Sequence, residues 1–166
     1  VHPTGRSAPA AVAQRPGGGR RVWADHITRT RDIRALVRAR GAAVPDPVRT
    51  AGEGLAYRDF LTVALILERR DLFPDNWIYV HTPGVKVGRI QNFNNWSKAM
   101  VPQADKTCIG MEYFCFRGDG MWETSDDKLI EFATAELGQL GLNMGARVVD
   151  GAVVIMPKAY PIYDAS

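Results

Sequence analysis

The run from Arg58 to Leu67 constrains the fold more than any other part of this sequence. Its apolar residues are Phe60, Leu61, Val63, Leu65, Ile66 and Leu67. Because side chains alternate along an extended chain, these residues occupy both faces of a strand. A strand that is apolar on both faces is typical of the interior of a sheet. We therefore predict that this strand is central and that other segments pair with it on both sides.

Other segments supply those partners. Short strand patterns at Trp77–Val80 and Gly88–Phe93 flank a turn rich in Pro and Gly, which indicates a hairpin. Longer strand patterns follow at Cys108–Phe116 and Arg147–Met156, and a kink is expected in the latter at Gly151. Together these patterns predict a mixed sheet of about five strands.

One clear helix is predicted after Ser125, a residue type that favours the N-cap position. Asp126 and Asp127 fill its first turn, where the helix dipole favours negative charge, and Gly141 ends it. Its apolar stripe consists of Leu129, Ile130, Ala133, Leu137 and Leu140. Two shorter helical patterns precede the central strand, so strands and helices together predict an α+β fold.

Charge is unevenly distributed along the chain. Residues 1–50 hold ten Arg, no Lys and three Asp, a formal charge of +7, whereas residues 51–166 hold 11 basic and 15 acidic residues, a charge of −4. A basic arm is compatible with nucleic-acid contact, but only Trp23 lies among its arginines, so nucleic acid is not an expected partner. Residues 1–21, rich in Gly, Pro and Arg, are predicted to be a disordered arm.

Several classes of protein are excluded by what the sequence lacks. No apolar run approaches the roughly 18 residues of a membrane span. Cys108 and Cys115 lie an odd number of residues apart on one predicted strand, so we expect free thiols on opposite faces and a reducing cytoplasm. The histidines lack the spacing of metal ligands, and no metal is expected.

The sequence also lacks the glycine-rich signatures of nucleotide binding and the serine-hydrolase motif, so no catalytic residue is assigned. Candidates for substrate binding are polar residues within or beside aromatic strands, a composition typical of a pocket for a small molecule. They are Arg89, Asn92, Glu112, Tyr113, Lys158, Tyr160 and Tyr163. The alternative, that they are ordinary edge and turn positions, stays open.

Glu112 is the most informative candidate. A carboxylate inside a central strand must be paired or must face solvent. Arg89, at the head of another predicted strand, is its natural partner. We predict an Arg89–Glu112 ion pair between neighbouring strands, in which a structural role and a catalytic role are equally open.

Beyond these patterns, several segments resemble the FAD-dependent amine oxidase superfamily. Tyr57–Leu65 looks like the strand that leads from the flavin domain into the substrate domain, and Pro157–Tyr163 resembles the segment that returns. Further segments resemble one bacterial branch of this superfamily, whose members are like protoporphyrinogen oxidase and UDP-galactopyranose mutase. These segments are Trp77–Val80, Val87–Phe93 with Trp96-Ser97, Glu112–Cys115, and Gly118–Gly120 with Trp122. The resemblance covers roughly residues 55–164.

The resemblance implies a two-domain enzyme, with a Rossmann-like FAD domain and a substrate domain built on a mixed, largely antiparallel sheet. It implies FAD held noncovalently or nearly so, and hydride removal from a carbon–nitrogen or carbon–carbon bond. On this basis residues 1–21 are the arm, residues 22–54 are a remnant of the flavin-domain strand and helices, and residues 55–164 are the substrate-binding domain. The expected partners are a small-molecule substrate and the missing flavin-binding domain.

Departures from the family pattern limit what this chain is expected to do alone. The dinucleotide fingerprint and the flavin-closing segment are missing and the first residue is Val, so we expect an inactive fragment that does not bind FAD alone. Arg31-Asp32 replace the family's Met-Pro turn beside the flavin. No lysine lies in Phe60–Leu67, where amine oxidases often carry one, which disfavours their usual arrangement.

Three hypotheses remain. The first is the substrate-binding part of an FAD-dependent oxidoreductase. The second is part of a sugar-nucleotide isomerase like UDP-galactopyranose mutase, in which Arg89, Tyr160 and Tyr163 face a diphosphate and the flavin assists ring contraction. The third is a non-enzymatic binding module. A substrate domain without its flavin domain exposes an apolar interface, so self-association is expected through Tyr57–Leu61 and Tyr160–Tyr163.

Overall fold

The computed structural model describes residues 21–23, 37, 44–101 and 103–162, with backbone alone described at 21–23. Six strands form one sheet: β1 (Arg21–Trp23), β2 (Tyr57–Leu67), β3 (Trp77–Tyr79), β4 (Arg89–Asn92), β5 (Thr107–Cys115) and β6 (Val148–Pro161). The helices are α1 (Asp46–Gly54), the single turn α2 (Phe93–Trp96) and α3 (Asp126–Gln139), with a 3-10 turn at Lys98–Met100.

The order of strands across the sheet is β1-β6-β2-β5-β4-β3. β1 pairs in parallel with β6, and every other pairing is antiparallel. The predicted α+β fold with a mixed, largely antiparallel sheet is therefore confirmed. The central position of β2 and the β3–β4 hairpin are confirmed as well. The predicted arm, residues 1–21, lies outside the described residues apart from the start of β1.

Some boundaries differ from the prediction. Phe93 leaves the ladder and begins α2, so β4 ends one residue earlier than its strand pattern. β6 continues past Met156 to Pro161. Ser125 stands at the N-cap of α3, but its side chain makes no capping hydrogen bond, and its backbone carbonyl accepts from the Leu129 N–H at 3.0 Å.

The two faces of the sheet have different surroundings. Helix α3 packs on one face, where the buried core includes Leu61, Val63, Ile155, Ala133 and Leu137. The other face, which α3 does not cover, we call the open face. Strand alternation gives it the residues Phe60, Thr62, Arg89, Gln91, Glu112, Phe114, Val154 and Met156. Among the described residues, no helix has the length and apolar character required to cross a membrane.

Both cysteines are free thiols on β5, as predicted. Burial raises the pKa of Cys108 to about 11. Burial, with smaller contributions from Asp119 and Asp59, raises the pKa of Cys115 to about 12. Both thiols therefore stay protonated near neutral pH and pack as small apolar groups.

Gly151 allows α3 to approach the sheet closely. Gly151 pairs in register with Leu65 of β2. The nearby register shift between β6 and β2 lies between Asp150 and Val148, before Gly151 in the sequence. A Cβ atom at Gly151 would lie 2.9 Å from Cγ2 of Ile130 on α3. The glycine is therefore required for helix packing, and the expected kink does not fall at this residue.

We predict that Gly151→Ala destabilises the chain by about 1–3 kcal/mol, because the added methyl overpacks the α3–β6 contact. Ile130→Ala in the same chain is expected to relieve the clash, so the two substitutions together cost less than their sum. The free energy of unfolding from urea titration measures both effects. Gly120→Ala is the control, because nothing lies within 4 Å of its Cβ position. Equal stability of the Gly151→Ala and Gly120→Ala chains would contradict the packing role.

Candidate functional site

The centre of the open face is an ion pair between neighbouring strands. Arg89 of β4 stands directly opposite Glu112 of β5 in the sheet register. The Arg89 Nε–H donates to Glu112 Oε2, and Gln91 Nε2 donates to Glu112 Oε1. The Glu112 side chain is 3% exposed and that of Arg89 is 22% exposed. The predicted Arg89–Glu112 pair is confirmed, and Gln91 completes the pairing of the carboxylate.

The electrostatics of the pair leave little net charge at this site. The hydrogen bond to Glu112 raises the pKa of Arg89 above its usual range, although burial opposes the shift, and the nearby Tyr79 and Tyr160 side chains add smaller contributions in the same direction. The Arg89 guanidinium carbon also lies 5.9 Å from the centre of the Tyr79 ring. Arg89 is therefore always charged, and Glu112 balances that charge directly.

A groove of about 340 Å³ lies over this pair. Its apolar lining consists of Phe60, Phe93, Val154, Met156, Ala159 and Tyr160. The Phe93 ring occupies space above Gly110, where a Cβ atom would lie 2.9 Å from Phe93 Cζ. A concave, largely apolar surface with a few convergent polar groups is the usual form of a small-molecule site.

Three aromatic rings form a cluster beside the groove, and two of them, Phe60 and Tyr160, line it. Phe60 and Phe114 have ring centres 5.4 Å apart, and Tyr160 lies 6.0 Å from Phe60 and 5.9 Å from Phe114. The tilted and edge-on geometries are those that aromatic rings prefer. Tyr160 also lines an adjoining depression of about 240 Å³ beside Arg58 and Ile162. The Tyr160 ring therefore separates two hollows of the open face.

Two of the predicted site residues lie on the opposite face. Tyr113 is buried beneath α3, with its ring 5.9 Å from that of Phe132, and its hydroxyl makes no hydrogen bond of ordinary geometry. Burial raises the pKa of Tyr113 above its usual range, and the nearby Glu136 carboxylate adds to this effect. Asn92 is also buried, and its Nδ2 donates to the Phe73 carbonyl at 3.0 Å, which holds the loop before β3.

The structure therefore brings together Arg89, Glu112 and Tyr160 but neither Asn92 nor Tyr113. Lys158 lies on an irregular part of β6 next to the groove, with an exposed side chain. Tyr163 lies outside the described residues.

Sequence reasoning missed the groove residues Gln91, Phe60 and Phe93. Alternation along β4 would have found Gln91, because it stands two residues from Arg89 and so shares its face.

The described residues do not fit the FAD that the resemblance implies. A dinucleotide needs backbone N–H groups at a helix N-terminus, or cations, around its pyrophosphate. Asp126 and Asp127 occupy the first turn of α3, where their charge would oppose a phosphate. No group of three potential metal ligands occurs in the described part of the chain either. The chemistry that these residues support is the binding of a small molecule.

Comparison with known proteins supports the fold. No protein-family model matches the chain, and no curated protein matches it by sequence. Among solved structures, the chain is similar to reduced UDP-galactopyranose mutase, with a TM-score of 0.57 and 19% identity over 78% of this chain. It is also similar to a protein described as a protoporphyrinogen oxidase from Exiguobacterium sp. 255-15, with a TM-score of 0.53 and 15% identity over 69% of this chain.

The matched region is a minor part of those proteins. The chain spans 28% of the length of the mutase structure and 25% of the length of the oxidase structure. At these identities the likeness shows a shared fold. It agrees with the two proteins that the sequence resemblance indicated.

We predict that Arg89→Met destabilises the chain by about 2–3 kcal/mol, because it leaves a buried carboxylate with Gln91 as its remaining partner. Arg147→Met is the matched control. Arg147 pairs with Glu68 at the surface, with side chains 73% and 51% exposed, so its loss should cost about 0–1 kcal/mol.

Replacing both partners, Arg89→Met with Glu112→Met, should recover most of the loss, because no unpaired charge remains. Chemical denaturation measures all three chains. Equal effects of Arg89→Met and Arg147→Met would contradict a buried, mutually dependent pair.

Proposed function

We propose that this chain is the substrate-binding part of an FAD-dependent oxidoreductase of the amine oxidase superfamily, and that its substrate lies in the groove on the open face. One observation carries the proposal: a neutralised, hydrogen-bonded ion pair stands in the middle of a largely aromatic and apolar sheet face. The sequence resemblance and the shared fold of the two solved structures support it.

The lining of the groove favours a substrate with an apolar, planar body and at least one polar atom. Phe60, Phe93 and Tyr160 offer ring faces and edges to such a body, while Arg89 and Gln91 offer polar atoms near its centre. Glu112 already balances the positive charge of Arg89, so a substrate gains little by bringing a negative charge to it.

The second candidate, a part of a sugar-nucleotide isomerase, is favoured by the likeness to UDP-galactopyranose mutase. It requires cations that face a diphosphate. Arg58 is one exposed candidate, with its guanidinium carbon 5.9 Å from the Phe114 ring centre and 5.7 Å from that of Phe116. Because Glu112 already neutralises Arg89, the cation at the centre of the groove, the oxidoreductase is the preferred proposal.

The open face also carries exposed aromatic rings that are available for contact with another protein surface. Leu61, inside the segment for which we predict self-association, is fully buried, whereas Phe114, Phe116 and Tyr160 are exposed. We propose that these exposed rings contact the flavin-bearing part of the enzyme, or a second copy of the chain when that part is absent. The two free thiols fit the proposed setting in the cytoplasm.

The purified chain is expected to carry no flavin, because FAD is proposed to bind the other part of the enzyme. Absorbance of the chain after incubation with FAD and desalting should show no visible flavin band. Free FAD and a flavoprotein treated in the same way are the controls. A stoichiometric flavin band would overturn the assignment of FAD to another part.

Ligand binding tests the groove itself. In saturation-transfer NMR with the purified chain, the methyl and methylene protons of coproporphyrinogen or the ring protons of benzylamine should receive more saturation than the protons of UDP-galactose. Tyr160→Ala should weaken that binding about threefold to tenfold, because an aromatic contact is lost. Met144→Ala is the control, since Met144 is comparably exposed (49% against 41% for Tyr160) in the turn before the far end of β6.

The outcomes separate the candidate functions. Dominant, Tyr160-dependent saturation of UDP-galactose would favour the sugar-nucleotide isomerase. Absence of saturation from all three ligands, or equal effects of Tyr160→Ala and Met144→Ala, would contradict a substrate site in the groove.

A further inference from the structure

β6 contains an irregularity beside the groove. In its pairing with β2, Met156 stands opposite Phe60 and Tyr160 stands opposite Arg58. Three residues of β6, Pro157 to Ala159, therefore face the single residue Asp59 of β2. This arrangement is a β-bulge with two extra residues in β6. Lys158 at its centre has a φ of 53°, in the left-handed region that residues other than glycine adopt at a cost.

The Asp59 carboxylate holds this bulge. The residue is buried, at 8% exposure. Its Oδ1 accepts from the Lys158 backbone N–H at 2.7 Å, and its Oδ2 accepts from the Arg117 backbone N–H at 2.6 Å. One carboxylate thus ties the bulge of β6 to the chain that leaves β5. Hydrogen bonds to an ionised acceptor are stronger than those between neutral groups, which offsets the unfavourable backbone at Lys158.

The bulge decides where the Tyr160 ring lies. In a regular antiparallel ladder, Lys158 would stand opposite Arg58, and Tyr160 would stand opposite Ala56, before the first residue of β2. The two extra residues draw Tyr160 toward the centre of the sheet by about 7 Å, two strand residues. There its ring meets Phe60 and Phe114 and lines the groove.

We infer that Asp59 is a positioning residue: its carboxylate, on the side of the sheet away from the groove, holds the bulge that places the Tyr160 ring in the groove. The inference rests on the proposed function only in treating the groove as a substrate site. Its tests contain no ligand, so their failure is distinct from the failure of ligand binding.

The first test is NMR of Asp59→Asn. The amide keeps the size of the side chain but has one acceptor instead of two and carries no charge, so one backbone N–H loses its partner and the other loses the ionised acceptor that holds the bulge. Nuclear Overhauser effects between the Tyr160 ring and the rings of Phe60 and Phe114 should disappear, while those between Val63 and Val153 in the core remain. Retention of the Tyr160 contacts in a folded Asp59→Asn chain overturns the inference.

Glu136→Gln is the matched control. Glu136 is another buried carboxylate that accepts two backbone N–H groups, from Lys86 and Val87, away from the bulge. Its substitution should leave the Tyr160 contacts unchanged. Loss of these contacts in the Glu136→Gln chain as well would show a general loosening of the sheet and would overturn a specific role for Asp59.

A second test distinguishes the effect of Asp59 on the bulge from its effect on Arg117, the other residue whose backbone N–H it binds. Deleting Pro157 and Lys158 restores a regular ladder in which Tyr160 still stands opposite Arg58. In that chain Asp59→Asn should no longer change the Tyr160 contacts. If the substitution still removes them, Asp59 acts through Arg117, and the inference is wrong.

Hydrogen exchange of the unmodified chain gives a readout that does not depend on the folding of any variant. The Lys158 amide hydrogen should exchange at least about tenfold more slowly than that of the exposed Gly118, because it is bonded to a buried carboxylate. Equal exchange at the two amides overturns the inference.

Discussion

The structure depends on one constraint, which is that the apolar side chains on one face of β2 must be buried against α3. Leu61, Val63 and Leu65 point toward α3 and are fully buried. Within the described part of the chain, Phe60 and Thr62 on the other side are covered by neighbouring strands and by the rings of the open face. Buried apolar surface contributes about 25 cal/mol per Å², and the hydrophobic core lies on the α3 side. The other side is left able to bind something else.

The ion pair on the open face fits this division of roles. A buried Arg–Glu pair contributes little to stability compared with apolar side chains of the same size. In the middle of an apolar face it is a poor choice for packing alone. It nevertheless provides fixed polar atoms at the floor of the groove, held by Gln91 and by the register of β4 on β5. Hydrophobic burial on the α3 face thus offsets the free-energy cost of the buried ion pair on the open face.

The sequence predicted those parts of the structure that follow from local alternation. The centrality of β2 and the Arg89–Glu112 pair both follow from side chains alternating along a strand and from the need to pair a buried charge. Asn92 and Tyr113 were grouped with that pair although each stands an odd number of residues from one of its members. Alternation places them on the α3 face, where the structure has them.

The bulge of β6 could not be predicted in this way. Its left-handed residue is Lys158, and no glycine marks the position. It depends on Asp59, 99 residues earlier in the chain, whose carboxylate contributes to the geometry only after β2 and β6 have paired. A local pattern carries no information about such a contact, because the partners are brought together by the fold itself.

The groove has a floor and walls but is open to solvent on one side. Small-molecule sites bury most of the ligand surface, and electrostatic contacts strengthen when water is excluded. Tyr160 lines the groove and is exposed, as are the rings of Phe114 and Phe116, so a second apolar surface placed on these rings would add to the enclosure. The chain spans about a quarter of the length of the two solved structures that share its fold. Under the proposed function, the rest of such a protein would supply that second surface, and the groove would form one half of the substrate site.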